Sequence, residues 1–456
     1  RLDEMDAAGV ERLLLSAFGY GRPTTPRLAR IASEGVRYAR AFTPAPWTPP
    51  SHASLFTGLA MHRHGLRVGR GDRMHHGIPT LAKTLAGAGY RTVGFSSNAY
   101  ISEQTGLHAG FAEFTRTYAG PEKNGPAEKT NDAEAMRAAV ASWLGSPGVS
   151  RKGRAKGAGG PPLFLFLNFM DCHQPNRPPP TDVLAVKGPD VAADDLAKAA
   201  ALIQPDFLQH LMGTRPFDAS ILRGLNARYD ASALYLDRKT GEILDLLEEH
   251  GIGRDALLVM TADHGEGLGE HGLVEHRLSL YDNLLHVPLT LRRPGRFEGG
   301  KVVERAVSLM DVYPTILEEA GVPVPAGTGL DALPLPREPV REGGRTLLAE
   351  FERPVDTIEE MKRHFPSAPD PIYRFLSLSI VSVREPVDAK RPLKYLRYER
   401  WNPDGTRAGL DREELYDWVA DPGETTNLLA AGDPAARAEA DRLARSIPGL
   451  MERRTR

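Results

Sequence analysis

The segment Trp47-Thr48-Pro49-Pro50-Ser51-His52-Ala53-Ser54-Leu55-Phe56-Thr57-Gly58 places hydroxyl side chains at the start of a short helix. Pro50 suits the first helical position, where a missing N–H loses no partner, and Gly58 is placed to end the helix. The N–H groups and partial positive charge of a helix N-terminus attract an anion. A hydroxyl held there is a candidate nucleophile toward a phosphate or sulfate ester.

Two polar clusters follow apolar runs. Asp171-Cys172-His173-Gln174-Pro175 comes after the run that ends at Phe169, and Thr261-Ala262-Asp263-His264-Gly265-Glu266 comes after Leu257 to Met260. Ligands of open α/β sheets bind outside the carboxyl ends of the strands, which is where both clusters fall. Adjacent Asp and His at a strand end can reach one divalent cation, since carboxylate and imidazole are good ligands for zinc or manganese. Taken alone, His173 reads equally as a loop histidine satisfied by backbone. Most bare Asp-His pairs are surface or capping residues.

In combination these motifs resemble the sulfatase family of the alkaline phosphatase superfamily. Sulfatases carry Cys or Ser followed by x-Pro-x-Arg, and nucleotide pyrophosphatase/phosphodiesterases carry Thr-x-Pro-Asn-His and a Leu-x-Thr-Gly tail. In that register Thr48 is the nucleophile, His52 stands where sulfatases have Arg, and Leu55-Phe56-Thr57-Gly58 is the tail. Asp171 to Pro175 resembles the family's Asp-Pro-His-x-Pro. Gly269-Glu270-His271-Gly272, His276, Leu280-Tyr281-Asp282 and Val287-Pro288-Leu289 resemble the run that follows its Asp-His pair. Ala306 to Thr315, Leu415-Tyr416-Asp417 and Asp421 to Leu428 resemble its later structural motifs, so the likeness covers nearly the whole chain.

The resemblance implies an α/β fold with a mostly parallel central sheet flanked by helices, plus a smaller C-terminal α+β domain. It implies catalytic roles for Thr48, His173 and His276, substrate binding by Ser51 and His52, and metal binding by Asp263 and His264. Glu266 is expected as a helix-start carboxylate rather than a ligand. The implied cofactor is a divalent ion (Ca, Mn or Zn), and the implied substrate is a small sulfate, phosphate or phosphonate ester. Type I sulfatases use formylglycine made from Cys or Ser, which Thr48 cannot give. A threonine alkoxide attacking the ester is therefore the expected chemistry, with Ser51 as the out-of-register alternative.

The chain departs from the pattern at its start. Counting back from Gly19-Tyr20-Gly21, the family's acidic metal ligands fall on Ala8 and Leu13, while Asp3, Asp6 and Glu11 are out of register. Residues 1–12 are mostly polar or small, so the first strand is expected to be missing or replaced. A gap or unpaired edge in the sheet, weaker metal binding and lower stability should follow. The rival reading is a catalytically impaired or truncated member of the family, acting at most as an anion-binding module.

The positioning elements follow from pattern. Helices are expected from Pro26 to Gly35, Thr80 to Ala88, Asp132 to Leu144 and Ser220 to His250, the last closed by Gly251. Strands are expected at Arg91 to Ser97, Leu163 to Phe169 and Ala256 to Thr261. The second is apolar throughout, as for a strand buried on both faces of a parallel sheet. Between them, Ser146 to Pro162, with Arg151, Lys152, Arg154 and Lys156, reads as a solvated loop. After about Pro336 short strands at Phe375 to Val383, Leu393 to Glu399 and Glu413 to Tyr416, then a helix at Pro434 to Ser446, divide the chain into 1–335 and 336–456. With 456 residues, 41% hydrophobic and 25% charged, the chain can bury a large core. Its net charge of −2 gives no ground for nucleic acid or an anionic membrane as partner. The single Cys172 excludes an intrachain disulfide framework, and no apolar run reaches the roughly 20 residues of a membrane span.

Overall fold

The computed structural model describes residues 15–67, 72–117, 132–150, 160–355, 377–402 and 404–452, with Ile358 and Lys362. Asp3, Asp6, Ala8, Glu11, Leu13 and the basic cluster from Arg151 to Lys156 lie outside the described residues.

The strands that build the sheets are β1 (Val36–Tyr38), β2 (Arg91–Ser96), β3 (Glu113–Arg116), β4 (Leu163–Asn168), β5 (Leu258–Thr261), β6 (Leu289–Arg292) and β7 (Lys301–Val303). Four more, β8 (Leu347–Phe351), β9 (Leu378–Arg384), β10 (Leu393–Trp401) and β11 (Arg407–Asp417), form a separate sheet. The helices that frame them are α1 (Pro26–Glu34), α2 (Thr48–Thr57), α3 (Leu81–Gly87), α4 (Asp132–Leu144), α5 (Ala219–Glu249), α6 (Val312–Ala320) and α7 (Pro434–Glu452).

Local chemistry accounts for these bounds. Pro26 opens α1, and Leu28, Ile31 and Ala32 bury one face at helical spacing. The helix stops where Gly35 passes β6, because a Cβ there would stand 2.4 Å from the Leu291 carbonyl oxygen. The Thr80 side chain accepts from the Lys83 N–H at the start of α3, and Asp218 accepts from the Ile221 N–H at the start of α5. In α4, Met136, Val140 and Leu144 recur every four residues and pack with Val93 and Phe95 of β2.

Strands β1 to β7 fall into two sheets. One has the order β3-β2-β4 and is parallel throughout; the other has the order β7-β1-β6-β5, with β6 antiparallel to both neighbours. Beside these, two-residue strands form a small three-stranded sheet (Val307–Ser308, Ala41–Phe42, His286–Val287) and a two-stranded one (Gly267–Leu268, Val274–Glu275). Among the described residues no strand lies between β4 and β5. Their edges line one cavity of about 1190 Å³. The apolar run of β4 is consequently half-buried at every position rather than buried on both faces.

The C-terminal sheet runs β8-β9-β10-β11, all antiparallel. One face meets α7, through Tyr395 and Leu415 against Ala436, Ala440 and Leu443. The other meets the Leu278 to Leu285 segment and Phe42. β8 has no counterpart among the expected strands, and α7 runs on to Glu452 past the expected end at Ser446.

A buried ionic cluster joins the two parts. Lys394 Nζ, fully buried, donates to the Leu280 carbonyl (2.7 Å) and Asp282 Oδ1 (2.7 Å) and lies 2.5 Å from Glu424 Oε1. Arg384 also pairs with Asp282, and the Asp282 N–H donates to Glu424 Oε2 (2.6 Å). Two cations thus meet two carboxylates. Removing one partner from such a cluster strands a buried charge. Lys394→Met is therefore expected to cost roughly 3–5 kcal/mol, read as a lower urea midpoint. A loss below about 1 kcal/mol, the scale of an exposed pair, would show that the cluster does not hold the two parts together.

Candidate active site

Helix α2 starts at Thr48, two residues before the expected Pro50, with Trp47 in extended conformation ahead of it. Each of its ten residues is buried. Pro49 and Pro50 lack an N–H, and the Ser51 N–H bonds the Trp47 carbonyl (3.3 Å). The first turn of α2 thus offers few backbone donors, and an anion here relies on side chains more than the sequence suggested.

The Thr48 hydroxyl points at the end of β5. Its Oγ1 lies 3.3 Å from His264 Nε2. His264 Nδ1 lies 2.8 Å from the Gly265 carbonyl and must donate to it, which leaves the Nε2 lone pair of a neutral ring facing Thr48. On the next turn of α2, His52 Nδ1 donates to the Thr48 carbonyl (3.1 Å) and Asp263 Oδ2 (3.3 Å). Ser51 is fully buried. Its hydroxyl donates to the Asp263 carbonyl (2.6 Å) and lies 2.8 Å from Thr43 Oγ1, so it ties α2 to the end of β5.

The remaining predicted residues come in from two further elements. His173, after β4, packs its ring edge-on to His276 at 4.8 Å, and His276 stacks on His264 at 4.4 Å. His173 Nδ1 faces the Gln174 carbonyl at 2.5 Å. Thr48, His52, Asp263, His264, His276 and His173 thus form one connected group. Glu266 starts no helix, because Gly267–Leu268 is a short strand. Its carboxyl oxygens instead lie 3.1 and 3.2 Å from His276 Nδ1.

Burial sets the charge states. It pushes Glu266 up to about 8 and His276 well below its usual value, and it lowers His173 to about 4. Burial would also raise Asp263, but His264 and His52 beside it hold its carboxyl well below the usual carboxylate range. At neutral pH the group therefore combines one firm anion, Asp263, with neutral His173 and His276.

Sequence reasoning missed Asn98. Its Oδ1 accepts the Tyr100 N–H (2.8 Å), which turns Nδ2 toward Thr48 Oγ1 (3.4 Å) and Met170 Sδ (3.1 Å). The signal was available, since Asn98 lies just past the carboxyl end of β2, the same position in which His173 and Asp263 were noticed.

Asp263 Oδ2 and His264 Nε2 are two acceptors only 3.4 Å apart, an arrangement suited to a shared cation. Among the described residues no group of three His, Cys, Asp or Glu side chains is placed to hold a metal ion. Two donors fall short of the three or four protein ligands of typical zinc sites. The set is incomplete, and no chemical step is assigned to a metal here.

The family profile described as Sulfatase matches residues 5–322. A Delta 4,5-hexuronate-2-O-sulfatase of Bacteroides thetaiotaomicron is 24% identical over 445 residues, covering 92% of this chain and 82% of that protein. The phosphonate monoester hydrolase of Agrobacterium radiobacter superposes with a TM-score of 0.68 at 22% identity, over 96% of this chain and 93% of that one. A structure solved with its substrate D-glucosamine-2-N,6-O-disulfate reaches a TM-score of 0.70 at 18% identity, over 97% and 96% of the two chains.

Behind α2, His64 is fully buried. Its Nδ1 accepts the Leu66 N–H (3.2 Å), so Nε2 donates to Ser54 Oγ (3.1 Å). Burial lowers it to about 3 from 6.5. Between those values the unfolded chain binds one more proton than the folded one. Stability therefore falls as pH drops below 6.5, by at most about 1.4 kcal/mol per pH unit for this group. His64→Gln should flatten the slope of unfolding free energy between pH 7 and pH 5. An unchanged slope would place the acid sensitivity elsewhere.

Proposed function

The chain belongs to the sulfatase family, hydrolases of sulfuric esters, and from that premise we propose that it cleaves a sulfate, phosphate or phosphonate ester with Thr48 as nucleophile. The observation that carries the reading is the Thr48 hydroxyl at the head of a buried helix, 3.3 Å from a His264 nitrogen whose tautomer leaves it free to accept a proton. Thr48 Oγ1 attacks the sulfur or phosphorus in line and gives its proton to His264 Nε2. The bond to the leaving oxygen breaks, and a sulfo- or phospho-threonine remains for water to hydrolyse.

His173 and His276 border the place that the transferred group would occupy. Both are neutral in the resting chain, and a bound ester anion raises their affinity for a proton. They then hold the anion and supply the proton to the leaving oxygen. Asn98 Nδ2 fixes the rotamer of Thr48. Sulfatases generally use a divalent metal. Asp263 and His264 would be the residues to hold such an ion, open among calcium, manganese and zinc. An ion on His264 Nε2 would occupy the lone pair that otherwise takes the Thr48 proton, so the two roles of His264 are alternatives. The sequence favours a second reading, an impaired member that binds an anion without turnover, because Ala8 and Leu13 stand in the register of the family's acidic ligands.

The test is hydrolysis of p-nitrophenyl sulfate, a phosphate monoester and a phosphate diester, with and without each of the three ions. Thr48→Ala is expected to lower kcat by roughly 10³-fold or more, and Asn98→Ala by roughly 10- to 100-fold through misplacement of the nucleophile. Turnover that survives in Thr48→Ala would sink the threonine mechanism. An inactive wild type that still binds sulfate would establish the second reading.

A further inference from the structure

The basic side chains of α5 are paired, with one exception. Arg223 meets Asp195 (3.0 Å), Arg238 meets Asp182 (2.9 Å) and Lys239 meets Glu134 (2.6 Å). Arg228, on the same helix, pairs with no carboxylate among the described residues. It donates an N–H to the Asn176 carbonyl, which leaves most of the five donors of its guanidinium unused. Burial and the neighbouring Arg177 guanidinium both lower its affinity for a proton. Arg177 has no hydrogen bond or ion pair among the described residues. Two like charges thus lie near each other where water is partly excluded, which costs free energy until an anion joins them.

The pair belongs to the loop that carries His173. Asn176, whose carbonyl Arg228 holds, donates from Nδ2 to the Cys172 carbonyl (3.1 Å). His173 follows Cys172, and the three residues from His173 to Asn176 span at most about 11 Å. Tyr229, next to Arg228 on α5, lines the same cavity as Thr48, His173 and Asp263. The loop carries a second sign of a polar ligand. Gln174 is only 4% exposed, yet neither its Oε1 nor its Nε2 bonds anything among the described residues. A buried amide left so is costly. Arg177 is exposed and Arg228 half-buried, so an anion reaches the pair from solvent.

The group that answers two guanidinium groups is an oxyanion, because each planar fork matches two oxygens of a carboxylate or sulfate. A neutral group would leave both charges uncompensated. Neither arginine lines the cavity in which Thr48 and His264 meet, so this oxyanion is not the one under attack. We infer that Arg228 and Arg177 form a subsite for a second oxyanion, a carboxylate or a sulfate, on the same molecule as the scissile ester. The substrate is then a dianion whose two charges are a short spacer apart. The inference rests on the ester-hydrolase reading for the first anion and on the arginines for the second.

The experiment uses the whole chain and three ligands with one six-carbon spacer: hexanediol monosulfate, hexanediol disulfate and 6-sulfooxyhexanoate. Dissociation constants are measured by calorimetry at one ionic strength, and turnover of each ligand is followed separately. The dianions are expected to bind about tenfold or more tightly than the monosulfate, and the tighter of the two identifies the second oxyanion. Arg228→Gln and Arg177→Gln should each bring that ratio toward unity. The ratio is read because a damaged fold weakens all three ligands alike. Arg177→Gln guards further against misfolding, since its side chain is exposed and unpaired. Equal or absent binding of the three ligands would overturn the inference, as would a ratio that survives in both variants. Turnover tests the other reading alone: no cleavage with the ratio intact would sink the hydrolase and keep the anion subsite.

Discussion

The Asp263 carboxylate is the contact on which the site depends. It lies between His52 of α2 and its own neighbour His264, and Ser51 bonds the Asp263 carbonyl from the same helix. These contacts lock the head of α2 against the end of β5, so the Thr48 hydroxyl meets His264 without a loop having to move. They also create an electrostatic problem. Asp263 stays ionised while burial keeps His173 and His276 neutral, so a bound ester anion would face a fixed negative charge in a poorly solvated place. A cation must intervene, either a metal held by Asp263 and His264 or a proton taken up by the imidazoles. The histidine stack is built for the second, since His173, His276 and His264 are in ring contact and a charge on one is felt by the others.

The position of His276 is set from the other side of the molecule. Four residues on, the Leu280 carbonyl and the Asp282 carboxylate are held by Lys394 of the C-terminal sheet. Tyr281 donates to Glu414 of β11 (2.9 Å) and stacks on His271 at 3.8 Å. The segment accepts strained backbone on the way, with φ of +70° at Glu275 and +73° at Leu278. Strain of this kind persists only where surrounding contacts over-determine it. The C-terminal sheet, which contributes no residue to the catalytic group, supplies those contacts.

Much of this was legible in the chain. Strand-end positions drew attention to His173 and to Asp263 with His264, and the helix pattern located the C-terminal end of α4, Leu144, to the residue. What escaped was whatever depends on a partner distant in sequence. Nothing local says that the Ser51 hydroxyl is spent on the Asp263 carbonyl, or that Glu266 turns to His276 instead of opening a helix. β8 is short and pairs with β9 across about thirty residues, where periodicity carries little weight. The start of α2 was read two residues late because Pro50 was given the first helical position, whereas the helix fits two consecutive prolines within its first turn. Asn98 is legible by the same rule as His173, since it too stands just past the carboxyl end of a parallel strand.

The break between β4 and β5 changes what holds the active group together. In a continuous sheet, backbone ladders would fix the distance between the ends of neighbouring strands. Among the described residues the end of β4, with His173, and the end of β5, with Asp263 and His264, belong to different sheets. Their separation is set by the histidine stack and by α5 and α2, whose side chains line the cavity between the two strands. Such side-chain contacts are individually worth of the order of 1 kcal/mol, and they rearrange more readily than a ladder of backbone bonds. The Thr48–His264 pair is tied to the β5 side through α2 and Asp263 and is also held from the other sheet by Asn98, just past β2. His173 is not so tied, since it reaches the group only through its ring contact with His276. The structure therefore separates a rigid half, which presents the nucleophile, from a softer half, which meets the leaving group.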